Sequence, residues 1–222
     1  MLNDVKAVIF DLDGTLVDSM GIWRDIDIEY LGRFGITMPD DLQEQISGIS
    51  VIETAAYFKN TFNINDSIET IISDWDILAY DKYHSEIELK EGVTEFLEYL
   101  RCQGITCGIA TSNSRQLTHA VLKGRNISEY FETIVTGEDI SNGKPKPDIY
   151  YEAAGRLRVM PEFCLAFEDI PHGILAAVNA GMKVCAVEDE FSSGELSIKK
   201  QLANYYIKNY YDIFNETYEE LR

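Results

Sequence analysis

The sequence predicts an α/β fold, a parallel sheet covered by helices on both faces, with a small all-helical domain inserted after the first strand. Two observations carry this. Short apolar runs of strand length alternate with amphipathic stretches of helical period, the pattern of strand–helix–strand units. From about Ser19 to Leu89 that alternation stops, and only helical periodicity remains.

The strands are expected at Ala7–Phe10, Ile105–Ala110, Thr133–Val135, Cys164–Phe167 and Lys183–Val187, with Tyr205–Ile207 as a last short one. Each is bounded by Gly, Asp, Asn or Ser, and their nearly continuous apolar character suits a sheet buried on both faces. Gly92–Arg101 and Ile149–Leu157 place apolar residues at helical spacing between them. In the strandless segment the spacing runs Ile22, Ile26, Tyr30, Phe34, then Ile52, Ala56, Phe62, then Ile68, Ile72, Trp75, Leu78, Tyr83. The expected division is a core of residues 1–16 and 91–222 and a helical cap of residues 17–90. The hinges fall near Leu16–Met20 and Leu89–Gly92.

The 222 residues suffice for a sizeable core, and 45% hydrophobic with 26% charged residues is the balance of an ordinary soluble globular protein. A net charge of -19 opposes binding to nucleic acid or an anionic membrane. An anionic substrate must therefore be attracted locally, by a metal ion and a few fixed donors. Cys102, Cys107, Cys164 and Cys185 form no Cys-x-x-Cys pair and lie in or beside apolar segments, which predicts buried free thiols in a reducing compartment. The N-terminus runs straight into Val5–Phe10 without a basic region or cleavage site, and no apolar stretch approaches the ~18 residues of a membrane span. A cytoplasmic monomer is expected.

Four polar clusters follow strands, where open parallel sheets bind ligands. Asp11-Leu12-Asp13-Gly14-Thr15 ends the first strand; residues two apart on an extended chain point the same way, so Asp11 and Asp13 face one point. Gly14 lets the chain turn and Thr15 offers a hydroxyl. A calcium loop would need a carboxylate and a glutamate where Thr15 and Ile22 stand. Thr111-Ser112-Asn113 supplies hydroxyls and amides at a strand-to-helix turn, a phosphate cradle in function and a plain helix cap otherwise. Lys144 lies between Gly143 and Pro145 in a rigid loop, and Asp148 after Pro147 starts the next helix. Glu168-Asp169 ends another strand, where adjacent acids repel unless a cation is near; oxygen ligands suit Mg2+.

These four clusters, in this order, resemble the motifs of the haloacid dehalogenase superfamily across essentially the whole chain. The helical insert resembles that family's first class of cap. Asp18-Ser19, with Gly173-Ile174-x-Ala176-Ala177-x-x-Ala180-Gly181-Met182, is similar to the beta-phosphoglucomutase and phosphoglycolate phosphatase subgroup. The resemblance implies a Rossmann-like core and an enzyme that hydrolyses a small phosphomonoester with Mg2+. It implies Asp11 as nucleophile and metal ligand, and Asp13 as acid and base with its main-chain carbonyl on the metal. Thr111 and Lys144 would hold the phosphoryl oxygens, with Gly14, Thr15, Ser112 and Asn113 around the phosphate. Asp169 would complete the metal site, with Glu168 a ligand or an acid behind the ligands.

Asp13 argues against relatives that cleave carbon–halogen or carbon–phosphorus bonds, which need no protonated oxygen leaving group. A sugar-phosphate mutase is the competing activity, and a silent binding protein the third. Mutases of the subgroup carry a cap histidine where Trp23 stands, and an arginine where Val51 stands in Gly48-Ile49-Ser50-Val51. The phosphatase is therefore expected. Ile170 and Glu91 replace a common serine and proline of the family. Trp23 either lines the substrate pocket or packs between cap helices. His172 is expected to be a loop residue rather than a ligand, and His84 and His119 structural or surface residues.

Overall fold

The computed structural model describes residues 1–46 and 49–222. Gly48, which opens the stretch matching the subgroup's arginine segment, lies outside the described residues.

The described residues form seven strands, β1 (Ala7–Phe10), β2 (Thr106–Thr111), β3 (Phe131–Thr136), β4 (Cys164–Glu168), β5 (Lys183–Val187), β6 (Tyr205–Ile207) and β7 (Glu219–Glu220). They make one sheet in the order β3-β2-β1-β4-β5-β6-β7. All neighbours pair in parallel except β6 with β7. The central strand β1 pairs Ala7–Phe10 with Thr106–Ile109 on one side and Cys164–Phe167 on the other. That register brings the carboxyl ends of β1, β2 and β4 to one edge.

Alternation along β1 sends Val8 and Phe10 into one apolar layer and Ala7 and Ile9 into the other. In the first layer Phe10 stacks on Phe167 at 5.2 Å between centroids, and Phe96 and Tyr210 close around the pair. The opposite layer is built from smaller residues, among them Ala110, Ala166 and Ala186.

Between β1 and β2 lie α1 (Met20–Gly32), α2 (Leu42–Ile46), α3 (Val51–Thr61), α4 (Ile68–Ser85) and α5 (Val93–Cys102). The remaining helices are α6 (Arg115–Gly124), α7 (Asp148–Leu157), α8 (Pro171–Asn179), α9 (Leu196–Leu202) and α10 (Tyr211–Phe214). Ser50 caps α3 reciprocally with Glu53, and Ser67 caps α4. Trp75 of α4 meets Tyr30 of α1 and Phe58 of α3 edge-on, and the Tyr30 and Phe58 rings are tilted against each other. Val17 bridges Leu89, so the two crossings between the helical segment and the sheet lie side by side.

Three expectations need correction. The buried face of α3 carries Ala55 and Phe58, whereas Ile52 is 58% exposed. The spacing through Ile52 and Ala56 has the wrong phase, because apolar residues occur on both sides of this short helix. Cys102 is exposed, since it ends α5 on the solvent side; Cys107, Cys164 and Cys185 are buried, and all four are free. The two-residue β7 is an addition to the expected strands, because exposed Glu219 and Glu220 carry no apolar signal. Among the described residues, no helix is long and apolar enough to cross a membrane.

Candidate active site

Asp11 follows β1 directly, and its side chain is nearly buried. Lys144 Nζ, from the loop before α7, donates to Asp11 Oδ1 at 2.6 Å and to Glu168 Oε1 at 2.6 Å. Tyr150 on α7 also donates to Glu168 Oε1, at 2.6 Å. The Lys144–Pro145 peptide is cis. Burial works against the Lys144 charge, but Asp11 and Glu168 more than offset it and hold the ammonium above its ordinary range.

Asp11, Glu168 and Asp169 each offer a carboxylate oxygen, and these atoms lie within 4.8 Å of one another. Burial, reinforced by Asp11, lifts Glu168 to about 7 against the pull of Lys144. Burial, then Asp11, Glu168 and Asp189, push Asp169 well above the carboxylate range. Three crowded acids in a dry site are costly as anions, and a hard cation would reverse that cost. Glu168 Oε2 is buried without a hydrogen-bond partner. That orphaned oxygen, beside two further carboxylates, fits a divalent ion with oxygen ligands.

The surrounding backbone is shaped to these acids. Gly14 has φ +76°, and a Cβ there would come within 2.3 Å of Asp169 Oδ2. A Cβ on Gly173 would overlap the Glu168 carboxylate at 2.1 Å. The Thr15 hydroxyl, expected at the phosphate, is buried and donates to Asp169 Oδ1 at 3.1 Å. It is set there because the Gly14 turn folds Thr15 inward against the acid.

Asp13 stands outside this group of three acids. Its carboxylate accepts from Ser19 Oγ at 2.6 Å, from Asn113 Nδ2 at 2.8 Å and from the Tyr83 hydroxyl. Burial raises the Asp13 pKa and Asp11 adds to this, while the three donors oppose it. A buried carboxyl held in this way is suited to carrying a proton. Asn113 therefore serves Asp13 with its side chain, and its main-chain N–H donates to Thr111 Oγ1 at 3.0 Å. The hydroxyl of Ser114 caps α6.

A cavity of about 560 Å³ opens over Asp11, Asp13, Thr111, Ser112, Lys144 and Asp169. Its far wall comes from the helical segment and includes Trp23, Asp27, Val51 and Trp75. Trp23 does both things considered for it: it lines the cavity and packs edge-on against Tyr83 at 5.8 Å between centroids. Glu91 lies outside this wall, whereas Ile170 lines it. His84, His119 and His172 are exposed.

Several contributors escape sequence reasoning. Helical spacing places Tyr83 in the core of the helical segment; its ring is buried there, but its hydroxyl reaches Asp13. A buried tyrosine needs a partner for its hydroxyl, and that is the available signal. Lys199 is buried and donates to Ser192 Oγ at 2.9 Å, and Ser192 in turn donates to the Asp169 carbonyl at 2.9 Å. No local pattern marks either residue.

A family model described as haloacid dehalogenase-like hydrolase matches residues 8–187. The chain belongs to this family. It is 30% identical over 179 residues to a phosphorylated carbohydrates phosphatase of Thermotoga maritima, covering 81% of this chain and 83% of that protein. It is 31% identical over 192 residues to a bifunctional riboflavin kinase/FMN phosphatase of Arabidopsis thaliana. That match covers 84% of this chain but 50% of the plant protein, so the chain spans half of that relative's length. The crystal structure of CbbY from Rhodobacter sphaeroides in complex with phosphate superposes with a TM-score of 0.78 at 25% identity, covering 84% of this chain and 88% of CbbY. The family is one of hydrolases, and the chain is an enzyme of that class.

Proposed function

We propose that the protein is a Mg2+-dependent phosphatase that hydrolyses a small phosphomonoester, a sugar phosphate or similar metabolite, through an aspartyl-phosphate on Asp11. The observation that carries this is the placement of Asp11 at the cavity floor. One of its oxygens is fixed by Lys144, the acid Asp13 lines the same cavity, and Glu168 and Asp169 complete a group of three carboxylates with it.

Hydrolysis of phosphate monoesters is among the slowest uncatalysed reactions, chiefly because an anionic nucleophile must approach an anionic phosphoryl group. Asp11 and Asp169 would hold the ion, with Glu168 Oε2 and the main-chain carbonyl of Asp13. When bound, it supplies positive charge against the phosphoryl oxygens. Lys144 adds a second fixed charge, and Thr111 with Ser112 offers hydroxyls at the end of β2. Asp11 attacks phosphorus as the ester P–O bond breaks, and Asp13 gives its proton to the departing oxygen. Asp13 then takes a proton from the water that attacks phosphorus, releasing phosphate and restoring Asp11. Gly14 and Thr15 serve by seating Asp169, and Asn113 by seating Asp13.

Residues 17–90 act as a cap over a core of residues 1–16 and 91–222. Supporting this, α1 and α4 supply the far cavity wall, and Val17 and Leu89 form adjacent crossings. Closure would exclude water before phosphoryl transfer.

A mutase must also hold the second phosphate of a bisphosphate. Among the described residues lining the cavity, Lys144 is the sole cationic side chain, and it is committed to Asp11 and Glu168. Val51 presents an apolar side chain to the cavity. Hydrolysis is the better fit. The test is phosphate release from a panel of phosphomonoesters with and without Mg2+: Mg2+-dependent turnover supports the assignment, and silence across the panel refutes it.

A further inference from the structure

The cap wall of the cavity contains one acid that phosphoryl transfer does not use. Asp27, on α1, is 4% exposed and lines the cavity, as do Trp23 and Trp75. Among the described residues, its hydrogen-bond donor is Gln43 Nε2 of α2, at 2.8 Å to Oδ2. Gln43 also lines the cavity, and no lysine, arginine or histidine among the described residues forms an ion pair with Asp27.

A buried carboxylate with a single neutral donor is poorly compensated. Burial accordingly lifts the Asp27 carboxyl to about 7, with Gln43 acting the other way. The rest of the cavity lining from residues 17–90 is largely apolar, with Met20, Ile46, Ile49 and Val51 beside the two tryptophans, and Glu44 and Thr54 as its further polar residues. One oriented acceptor in an apolar wall is the arrangement that fixes a ligand's orientation. Glu44 and Glu195 also line the cavity, and the one cation among its described lining residues, Lys144, is paired with Asp11 and Glu168.

We infer that Asp27, oriented by Gln43, is the specificity-determining residue of the cap, accepting a hydrogen bond from an O–H or N–H donor on an otherwise uncharged or cationic leaving group. The preferred substrate class is then a monophosphate with a hydroxylated or amine-bearing leaving group and an apolar face for Trp23. Bisphosphates and phosphorylated carboxylic acids are disfavoured by Asp27 and Glu44 from the cap and Glu195 from the core. This rests on the phosphatase assignment above and goes further, to what the leaving group must carry.

The test compares wild type, Asp27→Leu and Asp27→Asn on glycerol 3-phosphate, phosphoethanolamine, phenyl phosphate and fructose 1,6-bisphosphate, all with Mg2+. Phenyl phosphate lacks a donor on its leaving group and serves as the internal reference. In Asp27→Leu, kcat/KM relative to phenyl phosphate should fall about 10- to 100-fold for the better of the two donor-bearing substrates, mainly through KM. Glycerol 3-phosphate as the better one would identify a hydroxyl donor, and phosphoethanolamine an amine. Asp27→Asn has nearly the same shape and keeps one acceptor oxygen without the charge. Its rate on fructose 1,6-bisphosphate relative to glycerol 3-phosphate should rise by about tenfold, which keeps the test decisive if Asp27→Leu does not fold. Ratios unchanged in both variants, with thermal melts showing intact folds, overturn the role of Asp27 and leave the phosphatase standing. A wild type that hydrolyses none of the four, phenyl phosphate included, overturns both.

Discussion

The hydroxyl of Tyr83, on the last turns of α4, donates a hydrogen bond to Asp13, two residues beyond Asp11. It couples the helical segment to the group assigned to proton transfer. Asn113 Nδ2 also reaches the Tyr83 oxygen, at 3.0 Å, so three elements meet at one carboxylate.

Tyr83→Phe removes one donor that favours the ionised form of Asp13. The Asp13 pKa should therefore rise further. The acidic limb of the kcat profile, which reports Asp13 acting as a base, should move to higher pH. Loss of an oriented hydrogen bond to a charged group should lower kcat by about tenfold. A pH–rate series on both proteins checks this; an unshifted limb would make Tyr83 a packing residue only.

Lys144→Met leaves Asp11 and Glu168 facing each other without the shared cation. The kcat should drop by about 10²–10³-fold, the range for loss of one preorganised electrostatic contact. Breaking a buried ion pair by removing one partner should also destabilise the fold by roughly 3 kcal/mol. Steady-state kinetics and urea melts measure the two effects separately.

Most of the sheet is legible in the sequence, because strands buried on both faces read as unbroken apolar runs. β1, β5 and β6 begin and end where those runs do. The phase of α3 is not legible, since a short helix with Ile52 on its outer side presents two apolar faces. The motif acids stand out because they follow strands and sit close together along the chain. Tyr83 and Asp13 are 70 residues apart, and Thr15 and Asp169 154 apart. Helical spacing shows that Tyr83 faces inward but not what its hydroxyl touches. Asp27 sits between Ile26 and Ile28 and reads as the polar side of α1; only the tertiary fold buries it.

Asp27 gives a stability signature independent of catalysis. Its folded-state pKa of about 7 lies above the ordinary 3.8, so the folded protein retains a proton that the unfolded chain has lost. Stability therefore falls as pH rises from about 4 through 7. The full effect is on the order of 4 kcal/mol, because each tenfold change in proton affinity is worth about 1.4 kcal/mol. Asp27→Asn should match wild type at low pH and exceed it in stability at high pH. Urea melts at pH 5 and pH 8 measure the difference; equal offsets at both would contradict it.

Asp169→Asn tests the ion site. The carboxylate is seated by Thr15 and its carbonyl is held by Ser192. The amide variant should raise the Mg2+ concentration for half-maximal activity by about 10- to 100-fold. It should also reduce the rise in melting temperature that Mg2+ gives wild type, since an ion bound only to the folded state stabilises it. An unchanged Mg2+ dependence in both readouts would remove Asp169 from the ligand set.

The central claim is that Asp11 carries the phosphoryl group. Its most direct test is rapid acid quench of the enzyme during turnover of phenyl phosphate with Mg2+, followed by mass spectrometry of the peptide containing Asp11. Wild type should show a phosphoryl group on Asp11, and Asp11→Asn should show none and release no phosphate. A wild type that turns over without ever carrying phosphate on that peptide, or an Asp11→Asn variant with undiminished turnover, would contradict the account.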